Sequence, residues 1–206
     1  MPEKYKVIIG YGNAANYITF SGLLSALASC FYALEGNIQI SIILLIVAGI
    51  CDMFDGLVAR KLKKRTPSEM RFGIQLDSLV DLVCFGVTPA VIVFSVAGKE
   101  WYVFAACALY VVCAVDRLAY FNSIVAVEEK ISHYRGLPVT TIASLLPLVY
   151  LFLPPISGII TLAVLALLFV LNIKIPKTRG IWYGLFSLLA IALIVLWSVT
   201  GGFYDF

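Results

Sequence analysis

Long apolar runs, broken by Gly, Pro, Asn or short charged stretches, dominate this chain. They predict helices near 18–35, 38–59, 75–97, 101–123, 137–153, 156–173 and 181–200. Most of these runs approach the roughly 20 residues that cross a hydrocarbon layer about 30 Å thick. Pro154 and Pro155 stand between the fifth and sixth runs. They either separate two short spans or interrupt one irregular pair, so counts of six or eight stay open beside seven. The expected fold class is all-α, a polytopic membrane helix bundle of about seven transmembrane helices. Residues 1–16 form a juxtamembrane N-terminus. The stretch MPEKYKVIIGYGNAAN lacks the ordered basic, apolar and cleavage regions of a signal peptide.

Composition sharpens this picture. Of 206 residues, 62% are hydrophobic and 13% charged, about half the charged share of a soluble domain. Seven spans use roughly 140 residues, which leaves little chain for a separate globular domain. Cys30, Cys51, Cys84, Cys107 and Cys113 are scattered through apolar runs and read as small hydrophobes, not as a disulfide framework or zinc knuckle.

The distribution of charge says more than its total of +3. With the N-terminus in the cytoplasm, Lys4, Lys6, Lys61, Lys63, Lys64, Arg65, Arg71, Lys130, Arg135, Lys174, Lys177 and Arg179 fall on that side, and Lys99 falls in an opposite loop. The positive-inside rule therefore supports an odd number of spans with the N-terminus inside. Because topology accounts for these basic residues, nucleic-acid binding gains no support from them. The basic loop KKRTPSEMR is a topology signal first, with recruitment of anionic lipid or CDP phosphates as the alternative.

The sharpest chemical feature is CDMFDGLVAR, followed after a basic stretch by GIQLDSLVD. On a helix, Asp52, Asp55, Gly56 and Ala59 share a face; on the next, Gly73, Asp77 and Asp81 recur every four residues. Four acids beside apolar segments repel one another and resist desolvation unless they are protonated, hydrated or neutralised by a cation. Carboxylate oxygens favour hard Mg²⁺ or Mn²⁺, and two ions are compatible with the count. The bland alternatives are pairing with Arg60 and Arg117 or a hydrated ion path. A cation-coupled transporter is the competing functional class, although its site belongs nearer the bilayer midplane.

The arrangement resembles the signature of the CDP-alcohol phosphatidyltransferase family, D-x-x-D-G-x-x-A-R followed by G-x-x-x-D-x-x-x-D. Here the matching residues are Asp52, Asp55, Gly56, Ala59, Arg60, Gly73, Asp77 and Asp81. QLDSLVDLVCFGVTPA at 75–90, RLAYFN at 117–122 and GLP at 136–138 look like the phosphatidylserine synthase branch. The likeness runs from Asn16 to about residue 170.

That resemblance implies one phosphatidyltransferase domain over residues 1–206, transferring a phosphatidyl group from a CDP-linked lipid to L-serine and releasing CMP. It implies a homodimer within membrane lipids, and the charge pattern puts its site at the cytoplasmic face, with a prokaryotic cell membrane as the expected location. Asp52, Asp55, Asp77 and Asp81 are the implied ligands of the divalent metal, and Asp81 is the implied general base. Asn16, Thr19, Asp52, Gly56, Ala59, Gly73 and Asp77 are the implied CDP contacts. Asn16 and Thr19 have helix capping or hydrogen bonding as their simpler reading, and the small residues have helix packing.

Arg60, Arg117 and Asn122 are candidates for holding phosphate or serine. An arginine within an apolar span needs an anion, a headgroup or a hydrated pocket. Tyr120 departs from the branch pattern R-L-A-R-F-N and removes one permanent positive charge. His133 reads as a solvated loop residue. Glycerol 3-phosphate and inositol phosphate remain alternative acceptors, and each demands an additional cationic pocket.

Overall fold

The computed structural model describes residues 10–62, 65–125, 133–176 and 181–202. Helices occupy all seven expected positions. They are α1 (Ala14–Leu34), α2 (Ile38–Lys61), α3 (Pro67–Asp81) running through a π-helical segment (Leu82–Val87) into α4 (Thr88–Ala97), α5 (Trp101–Val125), α6 (Ile142–Phe152) behind a 3₁₀ turn (Val139–Thr141), α7 (Ser157–Val170) and α8 (Ile181–Thr200). Among the described residues, five helical stretches are long and apolar enough to cross a membrane, whereas Val139–Phe152 and Ser157–Val170 are shorter. At 1.5 Å per residue each of these two covers only about 21 Å. The expected fifth and sixth spans are thus a short pair, with Pro147 inside α6 and Leu153 already extended before the two prolines.

The third span starts eight residues before its apolar run. Thr66 and Glu69 form a reciprocal capping box, in which the Glu69 N–H donates to Thr66 Oγ1 (3.2 Å) and the Thr66 N–H to Glu69 Oε2 (2.7 Å), with Pro67 in the first turn. These polar signals nucleate helix where hydropathy alone sees a loop.

Small residues bring α1 and α2 together. A Cβ placed on Gly22 would stand 3.1 Å from Cys51 Cβ, so the two backbones approach closely there. Further along, Ser25 Oγ donates to the Leu44 carbonyl (2.7 Å), and Ser29 and Ser41 donate reciprocally to each other's carbonyls at 2.7 and 2.9 Å. Phe85, Ile92, Val93, Tyr110, Leu146 and Leu165 are buried among the helices. Large apolar side chains on the outside, such as Leu24, Phe104 and Leu188, are exposed. Lipid tails are the solvent such a surface suits.

A short antiparallel ladder, absent from the expectation, pairs β1 (His133–Arg135) with β2 (Lys174–Pro176). Gly136, at φ +72°, turns the chain out of β1, and its N–H donates to the Ile173 carbonyl at 3.0 Å. The ladder holds the segments after α5 and after α7 at one end of the bundle. Gln39 at the start of α2 donates to the Trp197 carbonyl near the end of α8 (2.8 Å), which marks the opposite end. The ladder pairs Arg135 directly with Lys174. Lys4, Lys6, Lys63, Lys64, Lys130, Lys177 and Arg179 lie outside the described residues, as do residues 1–9 of the expected N-terminal segment.

Candidate active site

Asp52 and Asp55 project from α2 and Asp77 from α3. One carboxylate oxygen from each lies within 4.8 Å of the others. Asp81 stands outside that group of three but lines the same small cavity, together with Thr19, Gly22, Ala48, Val80, Cys84 and Phe85. All four sequence-predicted acids therefore converge. The cavity holds about 10 Å³, close to the minimum for one water.

Its inner wall depends on the π-helical segment that begins directly after Asp81. Pro89 has no N–H to return to the Phe85 carbonyl one turn earlier. The Tyr110 hydroxyl on α5 donates to that carbonyl instead, at 2.6 Å. The Thr88 N–H reaches back five residues to the Val83 carbonyl. The wider turn rotates the chain beyond Asp81 relative to a continuous α-helix, a distortion that recurs at functional sites.

Thr19, a candidate from the sequence, donates to Asp55 Oδ2 at 2.5 Å. Its neighbour Asn16 is buried and donates from Nδ2 to the Tyr11 carbonyl (2.6 Å). Neither residue caps α1. That position belongs to Asn13, whose side chain accepts from the Asn16 N–H. A Cβ on Gly73 would meet Asn16 Oδ1 at 3.8 Å, so these two candidates face each other across α1 and α3.

The acids also open sideways. A cleft of about 360 Å³ is lined by Asp52, Asp55 and Asp77 at its polar end, by Gly56 and Arg60 beside them, and by Thr140, Thr141 and Ser144 at the start of α6. Ile46, Ile50, Met53, Phe186 and Ala190 supply an apolar remainder. A space polar at one end and apolar along its length matches an amphiphile. Ala59 is half-buried one turn beyond Asp55 but is not part of this lining.

Arg117 and Asn122 take other places. Arg117 is buried, donates from Nε to the Leu137 carbonyl (3.2 Å), and stacks 5.3 Å from the Phe121 ring centre. It lines a second cavity of about 240 Å³ with Asp116, Tyr120 and Asn172. Leu137 precedes Pro138, which lines the aspartate cleft, so one segment lies between the two spaces. Asn122 Oδ1 accepts from Ser78 Oγ at 2.9 Å, tying α5 to the residue after Asp77. The side chains of His133 and Arg135 lie outside the described residues.

Sequence reasoning missed Gly22 and Gly49, the hydroxyls of Thr140, Thr141 and Ser144, and Tyr183. Gly49 was detectable, since it precedes Asp52 by three residues and Gly56 by seven on the same helical face. It also missed that Cys84 lines the cavity, one turn after Asp81. Besides the Cys84 thiol, the Met53 thioether and the Arg60 guanidinium, the polar groups beside the acids are the hydroxyls of Thr19, Thr140, Thr141, Ser144 and Tyr183. Three convergent carboxylates at the measured separation fit a hard divalent ion better than a soft one.

Fold and site together define a membrane-embedded helical protein whose chemistry is centred on carboxylates from two adjacent helices. The CDP-alcohol phosphatidyltransferase model matches residues 12–172, and the chain belongs to that family. Among curated relatives, it is 31% identical over 163 residues to the archaetidylserine synthase of Methanothermobacter thermautotrophicus, covering 78% of this chain and 66% of that protein. It is 32% identical over 164 residues to the CDP-diacylglycerol--serine O-phosphatidyltransferase of Bacillus subtilis (79% of this chain, 89% of that one). Likeness to the Saccharomyces cerevisiae protein of the same name reaches 35% over 150 residues, 66% of this chain but 53% of the yeast protein. The chain thus spans less than two thirds of the archaeal and yeast relatives. Helix α8 lies beyond the matched region.

Proposed function

We propose that this protein transfers a phosphatidyl group, or its ether-lipid analogue, from a CDP-linked lipid to the hydroxyl of L-serine and releases CMP. The observation that carries the reading is the convergence of Asp52, Asp55 and Asp77 at one end of a cleft that is polar there and apolar beyond, with Asp81 beside them in the adjoining small cavity, in a chain of this family. The acceptor rests on the names of the relatives and on the DSLVDLVCFGVTPA stretch.

Asp52, Asp55 and Asp77 hold the divalent metal, Mg²⁺ or Mn²⁺ and as many as two ions, with Asp81 as a further ligand. When bound, the metal supplies positive charge that offsets the diphosphate and the developing negative charge. Thr19 fixes the orientation of Asp55. Gly56 borders the CDP moiety, leaving room beside Arg60, and Asn16, Gly73 and Ala59 join it as CDP contacts on the strength of the family resemblance, the first two facing each other across α1 and α3. Arg60 meets a phosphate oxygen, and Arg117 and Asn122 serve phosphate or serine from the α5 side.

Asp81 accepts the proton of the serine hydroxyl as that oxygen attacks the lipid-side phosphorus. The new P–O bond joins serine to the lipid phosphate, the bond to the CMP phosphate breaks, and CMP carries away the electron pair. Much of the acceleration comes from holding the hydroxyl and phosphorus together, because a carboxylate is a weak base for an alcohol. The site belongs at the cytoplasmic face, with the protein as a homodimer; the basic residues support the orientation and the family resemblance the dimer.

The test is conversion by purified protein in mixed micelles containing CDP-diacylglycerol or its archaeal diether counterpart, with Mg²⁺ or Mn²⁺. L-serine is compared with glycerol 3-phosphate and an inositol phosphate. Equimolar CMP and serine phospholipid, from serine alone, support the reading. Turnover only with a phosphorylated acceptor reassigns the substrate, and absence of CMP with every acceptor rejects the transferase.

A further inference from the structure

Helix α8 lies outside the region matched by the family model, yet it forms one wall of the aspartate cleft through Tyr183, Phe186 and Ala190. Its far end is fixed. Trp197 is fully buried, its indole Nε1–H donates to the Pro147 carbonyl (3.0 Å), and its own carbonyl accepts from Gln39 Nε2 (2.8 Å). Nearer the acids, Ser187 Oγ lies 3.8 Å from Met53 Sδ on α2.

At the polar end Tyr183 meets Arg60 in two ways. Arg60 Nη2 donates to the Tyr183 hydroxyl at 3.1 Å, and the guanidinium carbon stands 5.5 Å from the ring centre. The same guanidinium folds back along α2, since a Cβ on Gly56 would touch its Nη1 at 3.7 Å. It therefore lies one turn toward Asp55 and Asp52 instead of extending past the helix end. An exposed arginine samples many rotamers, and a ring plus a hydroxyl on a docked helix removes much of that freedom. Guanidinium carries five N–H donors in a fixed fork, so the bond to Tyr183 leaves others for an anion.

We infer that Tyr183 is a positioning residue that aims Arg60 at the phosphate groups of the CDP-linked lipid, so that α8 contributes to donor recognition without touching the reacting atoms. This rests on the donor class proposed above, but not on serine as acceptor. The hydroxyl and the ring contribute separately. A hydrogen bond contributes about 1 kcal/mol net, close to a fivefold effect, and the ring contact adds a similar or smaller amount.

The experiment measures equilibrium binding of radiolabelled CDP-diacylglycerol to the full-length protein in micelles, without acceptor, alongside steady-state kinetics. Tyr183→Phe, which keeps the ring, should raise the donor Kd and KM about fivefold. Tyr183→Leu should raise them about tenfold, with the serine KM unchanged. Arg60→Ala combined with Tyr183→Leu should bind no more weakly than Arg60→Ala alone, because both remove one contact. Leu188→Ala, on the exposed side of α8, controls for a nonspecific effect of substituting that helix and should leave all constants unchanged.

Unchanged donor binding in Tyr183→Leu overturns the inference, as does a loss that is additive with Arg60→Ala or equal in Leu188→Ala. Donor binding that responds as expected without transfer to serine leaves Tyr183 in place and removes only the acceptor reading. Wild-type protein that binds no CDP-linked lipid overturns both.

Discussion

Thr19 on α1 donates to Asp55 Oδ2 on α2 at 2.5 Å, linking the first helix directly to the carboxylate centre. Asp55 is the most buried of the three grouped acids, and a carboxylate removed from water keeps its orientation only where a donor holds it. Outer-shell partners of this kind typically change metal affinity by about 10–100-fold when removed. Thr19→Val preserves shape but deletes the donor. It should raise the Mg²⁺ or Mn²⁺ concentration for half-maximal activity by about tenfold, while Thr19→Ser restores most of the wild-type response.

Asp52, Asp55 and Asp77 form the compact group, and Asp81 stands beside it. Replacing any of the first three by Asn keeps size but removes charge, so each should weaken Mn²⁺ binding and lower transfer by more than about 100-fold. Asp81→Asn should lower kcat comparably through loss of the base while keeping measurable Mn²⁺ binding. Binding of Mn²⁺ read by electron paramagnetic resonance separates the two roles. Equal loss of Mn²⁺ in all four variants would make Asp81 a ligand of the same rank. Chelation by EDTA should abolish transfer, and added Mg²⁺ or Mn²⁺ should restore it.

Much of this site was legible because helix geometry turns spacing into position. Asp52 with Asp55, and Asp77 with Asp81, need only two adjacent helices to meet, and the apolar runs on either side supply those helices. The polar partners were less legible. Thr19 reads equally as a cap until Asn13 is seen to occupy the cap, and Tyr183 is separated from Arg60 by more than a hundred positions with no periodic signal between them. The π-helical turn after Asp81 was also hidden. Pro89 announces a missing donor, but only the fold places Tyr110 where it can replace it. The ladder between His133–Arg135 and Lys174–Pro176 is too short to stand out from loop sequence.

Tyr110 gives a direct test of that replacement. Its hydroxyl is buried with the Phe85 carbonyl as acceptor, and Tyr110→Phe leaves this carbonyl without that donor. A stranded buried acceptor costs about 1–3 kcal/mol. The variant should unfold at a lower temperature in detergent. Because the π-helical segment adjoins Asp81, kcat should fall severalfold even at temperatures where the protein remains folded. A stability loss with kcat intact would make the segment a packing feature alone.

Gly49 fixes the width of the cleft in the opposite way, by what it lacks. A Cβ there would stand only 2.8 Å from the Ala143 Cβ on α6, inside normal van der Waals contact. Gly49→Ala must therefore push α6 from α2, and overpacking of this type costs about 1–3 kcal/mol. Ala143, Thr140, Thr141 and Ser144 line the cleft from that side, so the displacement should also raise the donor KM. The steric origin makes a reciprocal prediction. Ala143→Gly removes the opposing methyl, and Gly49→Ala combined with Ala143→Gly should recover stability and donor KM together. If the double variant is as impaired as Gly49→Ala, the glycine serves something other than close approach, and the thermal midpoint measured beside the kinetics will separate a backbone effect from a lost ligand contact.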